Sequence, residues 1–165
     1  MILSFLNKVI KVDRGGPESR IGMLLAAEED HVIVLTEDEG VIYYKTQHIK
    51  SITYNAKNEL QFGIEIPEDF EFTKAPNFKG VLDNLKYRWV KVNRGGPEML
   101  EGILDDVSDE YAIIISNEEI IRLSMYHIRN ISYGLKVEKA KADENVNVNV
   151  NVNENKDKES TKEEK

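Results

Sequence analysis

The sequence predicts a mainly β protein: two tandem small barrels of the SH3-like or Sm-like kind, each preceded by a short helix, and a disordered C-terminal tail. Three observations predict it. A block of about 45 residues recurs at a spacing of 80; inside each copy, short apolar alternations are separated by Gly, Pro and acidic turns; and beyond Gly134 the aromatic residues stop. The division that follows is 1–54 for the first barrel, 55–75 for a connecting segment, 76–134 for a helix and second barrel, and 135–165 for the tail.

The repeat carries the division. Lys11-Val12-Asp13-Arg14-Gly15-Gly16-Pro17-Glu18 recurs as Lys91-Val92-Asn93-Arg94-Gly95-Gly96-Pro97-Glu98, and Gly22-Met23-Leu24 as Gly102-Ile103-Leu104. The register slips by one residue where Glu37-Asp38-Glu39-Gly40 faces Asn117-Glu118-Glu119. It resumes at an offset of 79, with His48-Ile49-Lys50-Ser51-Ile52 against His127-Ile128-Arg129-Asn130-Ile131. A length change confined to an acidic turn, with the apolar blocks in register, is the behaviour of two copies of one fold.

Each element has its own signal. Val9–Val12 and Trp89–Val92 alternate toward an Arg-Gly-Gly-Pro turn, where Gly tolerates positive φ and Pro fixes its own. Arg20–Ala27 and Leu100–Val107 follow, each with a Gly where a strand can bend. His31–Thr36 and Tyr111–Ser116 are β-branched runs that read as central strands buried on both faces. Val41–Lys45 and Ile120–Leu123 come next, then short last strands at Ile49–Ile52 and Ile128–Ile131. Phe78, Val81, Leu82 and Leu85 recur at helical spacing behind Asn77, a capping residue, and Ile2, Leu3, Phe5 and Leu6 offer a shorter equivalent; both helices are expected over the barrel mouths. Leu60, Phe62, Ile64 and Ile66 alternate strictly and predict an extra strand. In the tail the Lys/Glu mixture cannot offset the entropy of ordering, although the Val146–Asn153 tract has the period of a one-faced strand.

Composition excludes several functions. No apolar run reaches the roughly 20 residues of a membrane helix. The apolar opening lacks a basic leader and a cleavage site, so cytosolic synthesis without a cleaved signal is expected. The absence of cysteine removes disulfides and thiolate metal sites. Of the net charge of −8, −7 lies in residues 1–135, and an acidic body opposes phosphate binding, so nucleic acid is not expected as a partner. There is no nucleophile elbow, phosphate loop or zinc motif. The acidic clusters Glu28-Glu29-Asp30 and Asp105-Asp106 read as solvated turns. Neither an enzyme, a cofactor nor a metal site is expected.

The repeated residues have bland and sharp readings. Arg14-Gly15-Gly16 and Arg94-Gly95-Gly96 can form an anion-binding nest, but one copy per unit followed by Pro-Glu fits a structural turn better. His48 and His127 each stand without a second ligand in sequence and read as ordered structural histidines. His31 faces Tyr111 in the second copy, which argues against a shared role. Tyr44-Lys45 near His48 is similar to Sm-type RNA-binding barrels, but Thr46 and Gln47 intervene, and the second copy has Arg122 to Tyr126 before His127.

The doubled Arg-Gly-Gly-Pro-Glu, each followed by Gly-x-Leu and later by His-Ile-(Lys/Arg)-x-Ile, resembles the repeat of the spore coat protein B family of endospore-forming bacteria. The resemblance covers nearly all of residues 1–134. It marks Arg14, Gly15, Gly16, Pro17, Glu18, Gly22, His48 and Ile49, with Arg94, Gly95, Gly96, Pro97, Glu98, Gly102, His127 and Ile128, as the structural repeat motif. It implies a non-catalytic protein made in the mother-cell cytoplasm and deposited on the outer spore coat, with other coat proteins as partners; the open edges of short barrels, the Leu60–Ile66 segment or the Val146–Val152 tract are expected to add further copies of the chain itself. Family members often carry a Ser-rich tail that is phosphorylated, whereas this tail has only Ser160 and Thr161, so that modification does not carry over.

Overall fold

The computed structural model describes residues 2–139. Most of the expected disordered tail, including the Val-Asn tract, lies outside the described residues. Ten strands follow in order: β1 (Val9–Val12), β2 (Arg20–Ala27), β3 (His31–Thr36), β4 (Gly40–Lys45), β5 (Ile52–Thr53), β6 (Trp89–Val92), β7 (Leu100–Val107), β8 (Tyr111–Ser116), β9 (Glu119–Ser124) and β10 (Asn130–Ser132). One α-helix, α1 (Phe78–Asn84), precedes β6, and single 3-10 turns occupy Ile2–Phe5, Thr46–His48 and Met125–His127.

The first three strands of each half match their expected bounds, because alternating apolar residues between Gly/Pro turns leave little freedom in register. The matching extends to irregularities. Both β2/β3 and β7/β8 shift register at the same point, between Leu24 and Ala26 and between Leu104 and Asp106. The β3–β4 turn spans three residues from Thr36 to Gly40, and the β8–β9 turn two from Ser116 to Glu119, so the slip falls where the sequence places it.

Closed barrels do not form. All the strands join one antiparallel sheet in the order β5-β1-β2-β3-β4-β10-β6-β7-β8-β9. Closure of the first half would need β4 to reach β5, but β5 pairs over only two residues with β1, and the outer edge of β4 is taken by β10. The expected extra strand is also absent. Residues 60–66 turn their alternate side chains inward, with Ile64 buried and Phe62 and Ile66 packed beside it, yet they join no ladder. Their period two is that of a one-sided strap. The last strands begin two or three residues later than expected, since the preceding residues form the 3-10 turns and their exits.

The strap explains a difference between the halves. Successive residues of a strand point to opposite faces, and in β3 both faces are covered: Val32 and Val34 enter one core with Ile10, Leu24 and Ile42, while Ile33 and Leu35 enter a second. That second core is larger, combining the outer face of the first half with α1, the strap and the inside of the second half. Among the described residues nothing comparable covers the outer face of β8, whose Tyr111 is exposed and whose Ile113 and Ile115 are half-buried, so the expectation of a doubly buried strand holds for β3 and fails for β8. The helix starts as expected, with Asn77 Oδ1 accepting from Gly80 N at 2.8 Å, but it packs into the large core through Phe78, Val81 and Leu82 instead of capping a barrel mouth. Near the N-terminus only Ile2 and Phe5 pack; Leu3 and Leu6 remain exposed. Leu135 and Val137 pack into the large core as well, so order extends past the expected boundary at 135.

Gly22 and Gly102 are fixed by space, not by φ. A Cβ on Gly22 would strike the Leu35 carbonyl and Val34 Cγ1, and one on Gly102 the Ile115 carbonyl and Ile114 Cγ2. Overpacking of this kind costs about 1–3 kcal/mol. Gly22→Ala and Gly102→Ala are each expected to lower stability by about that amount in urea unfolding, whereas Gly15→Ala, with nothing within 4 Å, stays within about 0.5 kcal/mol of the parent. Equal stability of all three variants would contradict the close strand approach.

Candidate functional site

The feature that gathers the repeated motif is the seam between the two halves. Its backbone is the β4–β10 ladder, with Tyr44 opposite Asn130 and Tyr43 opposite Ile131. Lys45 N donates to Arg129 O at 2.9 Å and Val41 N to Leu135 O at 2.8 Å, so β4 meets partners along its length.

Local backbone geometry presents the seam residues. Asp13 and Asn93 both adopt φ 54°, a left-handed conformation that Asp and Asn tolerate. The Asp13 carboxylate accepts from Lys50 N at 2.7 Å and Ser51 N at 3.3 Å; Asn93 Oδ1 accepts from Arg129 N at 2.7 Å, and its Nδ2 donates to His127 O at 3.2 Å. Each therefore ties the Arg-Gly-Gly-Pro turn to the segment entering the last strand. Sequence reasoning passed over this pair; its signal was an Asp/Asn immediately before Arg-Gly-Gly in both copies.

Ion pairs then cross the seam. Glu39, on the β3–β4 turn, accepts from Arg20 Nε at 2.5 Å and Arg20 Nη2 at 3.1 Å, and Arg94 Nη1 approaches it at 3.1 Å from the second half. Arg94 is itself held by Nε donating to Ser132 Oγ at 2.9 Å. Glu18 reaches Arg129 Nη2 at 2.5 Å. The first motif thus supplies Pro17 and Glu18, and the second supplies Arg94, Gly95 and Gly96. A Cβ on Gly95, which has φ 82°, would strike the Pro17 carbonyl, and one on Gly96 would crowd Glu18 Oε1 at 2.7 Å. Gly95 is needed for this approach, by its φ and by the Pro17 backbone, whereas at Gly96 a Cβ would displace the ends of the Arg129 and Glu18 side chains. The two turns are not identical, since the first bends at Gly16 (φ 83°) and the second at Gly95; they meet at opposite ends, the first through Pro17 and Glu18 and the second through Arg94, Gly95 and Gly96.

Other motif residues have plainer places. His48 Nε2 donates to the Tyr126 carbonyl at 2.8 Å, across the seam, which requires the proton on that nitrogen. His127 lies edge-on to Tyr126, with ring centroids 5.1 Å apart. Ile49 packs beside the smaller core and Ile128 is buried in the larger. Arg14, Gly15, Pro97 and Glu98 are exposed and meet nothing across the seam. His31 is fully buried, with Nδ1 donating to Asp30 Oδ1 at 2.9 Å; that oxygen also accepts from Phe78 N at 2.8 Å, so the pair ties α1 to the start of β3. Lys45 Nζ donates to Met125 O and lies 5.1 Å above the Phe78 ring. Burial holds this ammonium below its usual range, against the opposing pull of Asp30.

An open cleft of about 670 Å³ beside the seam is walled by Lys11, Arg20, Glu37, Glu39 and Phe62. Arg20 and Glu39 are already engaged with each other there, and the Ser19 and Thr36 hydroxyls in its wall donate to the Asp13 and Gly40 carbonyls.

Burial raises the proton affinity of Glu39, but the hydrogen bonds and charges of Arg20 and Arg94 outweigh it and hold the carboxyl below its ordinary 4.5. A carboxylate lowered in the folded state contributes stability above the unfolded value, and that contribution disappears as pH falls through the folded one. Glu39→Gln is expected to cost about 1–2 kcal/mol near neutral pH, with the gap to the parent closing below about pH 4.5. A gap that persists unchanged in acid, measured by urea midpoints across pH, would remove the ion pair as its cause.

Comparison with known proteins adds an independent line. The chain is 36% identical over 143 residues to a protein named Spore coat protein B from Bacillus subtilis (strain 168). The match covers 87% of this chain but 37% of that relative, so the chain spans little more than a third of its length. No family model matches the chain, and no solved structure matches it. On the ground of that identity over most of its length, the chain belongs to the spore coat protein B family.

Proposed function

We propose that this chain is a structural component of the bacterial endospore coat, working through protein-protein assembly in the outer layers after synthesis in the mother-cell cytoplasm. Its partners in this reading are other coat proteins and further copies of itself. Residues 1–54 and 76–134 are then two copies of one small SH3-like or Sm-like unit, with 55–75 as the segment between them.

The coat role rests on the similarity to Spore coat protein B. The assembly role rests on one structural observation: the repeated Arg-Gly-Gly-Pro-Glu residues are spent on a strand-edge contact between two β units, through Glu18, Arg94, Gly95 and Gly96. A contact of this type supplies main-chain hydrogen bonds for affinity and side chains for register. The RNA-binding alternative gains no support, because Lys45 is engaged with Met125 O and Phe78 and Arg122 lies 5.4 Å over the Tyr111 ring.

A fluorescent fusion followed through sporulation is expected at the spore periphery; uniform cytosolic or nucleoid signal would overturn the coat role. Single-stranded RNA is expected to show no saturable, salt-sensitive binding. The part played by the tail is read by removing residues 140–165, a cut that spares Leu135 and Val137 in the core. Incorporation that survives the deletion assigns assembly to the described residues, and its loss assigns it to the tail.

A further inference from the structure

The seam uses two different edges, β4 of the first half and β10 of the second, and so leaves their counterparts unused. Among the described residues, β9 is hydrogen-bonded only to β8 and β5 only to β1; they are the two ends of the sheet. In the repeat register β9 stands where β4 stands and β5 where β10 stands. We infer that β9 of one chain pairs with β5 of the next, repeating the internal seam between molecules and joining chains head to tail. This inference deepens the assembly reading above and rests on it.

The side chains argue for a second copy of this chain as the occupant. At the internal seam Glu39 meets Arg94 at 3.1 Å; the residues in those places at the open ends are Glu118 and Arg14. Glu18 meets Arg129 at 2.5 Å; the counterparts are Glu98 and Lys50. Both pairs keep their signs and direction, acid on the β9 end and base on the β5 end. All four residues are exposed, and no ion pair engages them among the described residues, whereas Glu18, Glu39, Arg94 and Arg129 are half-buried. Like charge in any of these places would have opposed the contact.

Shape follows charge. Pro17 lies against Gly95 and Glu18 against Gly96; the corresponding approach brings Pro97 and Glu98 to Gly15 and Gly16, where a side chain would meet nothing within 4 Å. His127 takes the place of His48, aimed at the carbonyl of Gln47 as His48 is at that of Tyr126. Ile120 stands where Val41 is fully buried, and is itself 76% exposed. By extension of the register in which Tyr43 faces Ile131 and Tyr44 faces Asn130, Arg122 faces Ile52 and Leu123 faces Ser51. The contact is heterologous, because β9 and β5 are different surfaces, so it propagates into a filament or closes into a ring instead of stopping at a dimer.

Charge exchange in the full chain tests the junction by sedimentation velocity over a concentration series. The parent is expected to form species beyond a dimer. Glu118→Lys places Lys against Arg14, and Arg14→Glu places Glu against Glu118, so each variant alone is expected to associate at least about tenfold more weakly. An equimolar mixture restores an opposite pair at every junction and recovers assembly, a result that misfolding of either variant would not give. A parent that stays monomeric throughout, single variants that assemble like the parent, or a mixture no better than its parts would each overturn the junction. The coat reading fails separately: a chain that locates to the spore while the charge exchange has no effect loses the junction alone, and one that shows the charge complementation but never reaches the spore loses the coat role alone.

Discussion

The edge of β4 has to be satisfied, and the rest of the structure is arranged around how that is done. A strand that is fully buried on both faces cannot leave a row of N–H and C=O groups without partners. β4 is such a strand, buried from Gly40 to Tyr44, and β10 supplies the ladder its edge needs. The second half is thereby held against the first, and the large core forms in the space between. Tyr43 shows the dependence: its hydroxyl donates to Thr73 O at 2.6 Å, and burial pushes that hydroxyl well above its ordinary range, keeping it a neutral donor that ties the segment leading into α1 to β4.

The same constraint accounts for the asymmetry between two halves with matching strands. Where the first half has Val41 and Tyr43 on β4, the second has Ile120 and Arg122 on β9. The first pair enters the large core, while β9 remains exposed or half-buried. The turn before β4 is likewise engaged: Glu37 accepts from Gly63 N, and Lys139 Nζ lies 2.9 Å from its carboxylate. Those two donors, the backbone one first, hold the Glu37 carboxyl below its usual range. The strap and residues 135–139 thus lie over the side of the first half that faces the second.

Much of this was legible in the sequence because strand alternation, Gly/Pro turns and a cap residue act locally. Asn77 forms the expected cap, and the shared slip in the β3–β4 turn follows from counting. What was not legible depends on distant partners. The alternation of Leu60 to Ile66 fixed which side chains point inward but not whether the backbone found a strand to pair with, and it found none. Arg14 and Arg94 are indistinguishable in sequence context, yet one is exposed and the other bridges Glu39 and Ser132. The same residues do different things because the two turns meet once, along one seam, where the second turns its Arg-Gly-Gly side and the first its Pro-Glu side to the contact. His31 and Tyr111 differ for the opposite reason, since burial beneath α1 calls for a side chain that Asp30 can hold.

The internal seam is stronger by construction than any contact the open edges can make. Glu39 is gripped by two arginines, whereas the residue corresponding to Arg20 is Leu100 and leaves Glu118 with Arg14 alone. Arg129 corresponds to Lys50, which lacks the planar fork that holds a carboxylate in fixed geometry. Lys45 corresponds to Ser124, too short to reach a carbonyl across the ladder. The internal edges are also tethered by one chain, so their effective concentration is set by the connecting segment and not by how much protein is present. On the proposed junction, folding of one molecule therefore precedes joining between molecules, and the order follows from the substitutions that distinguish the two copies: arginines where the internal seam must hold unaided, shorter or more weakly gripping residues where the proposed association would wait on concentration.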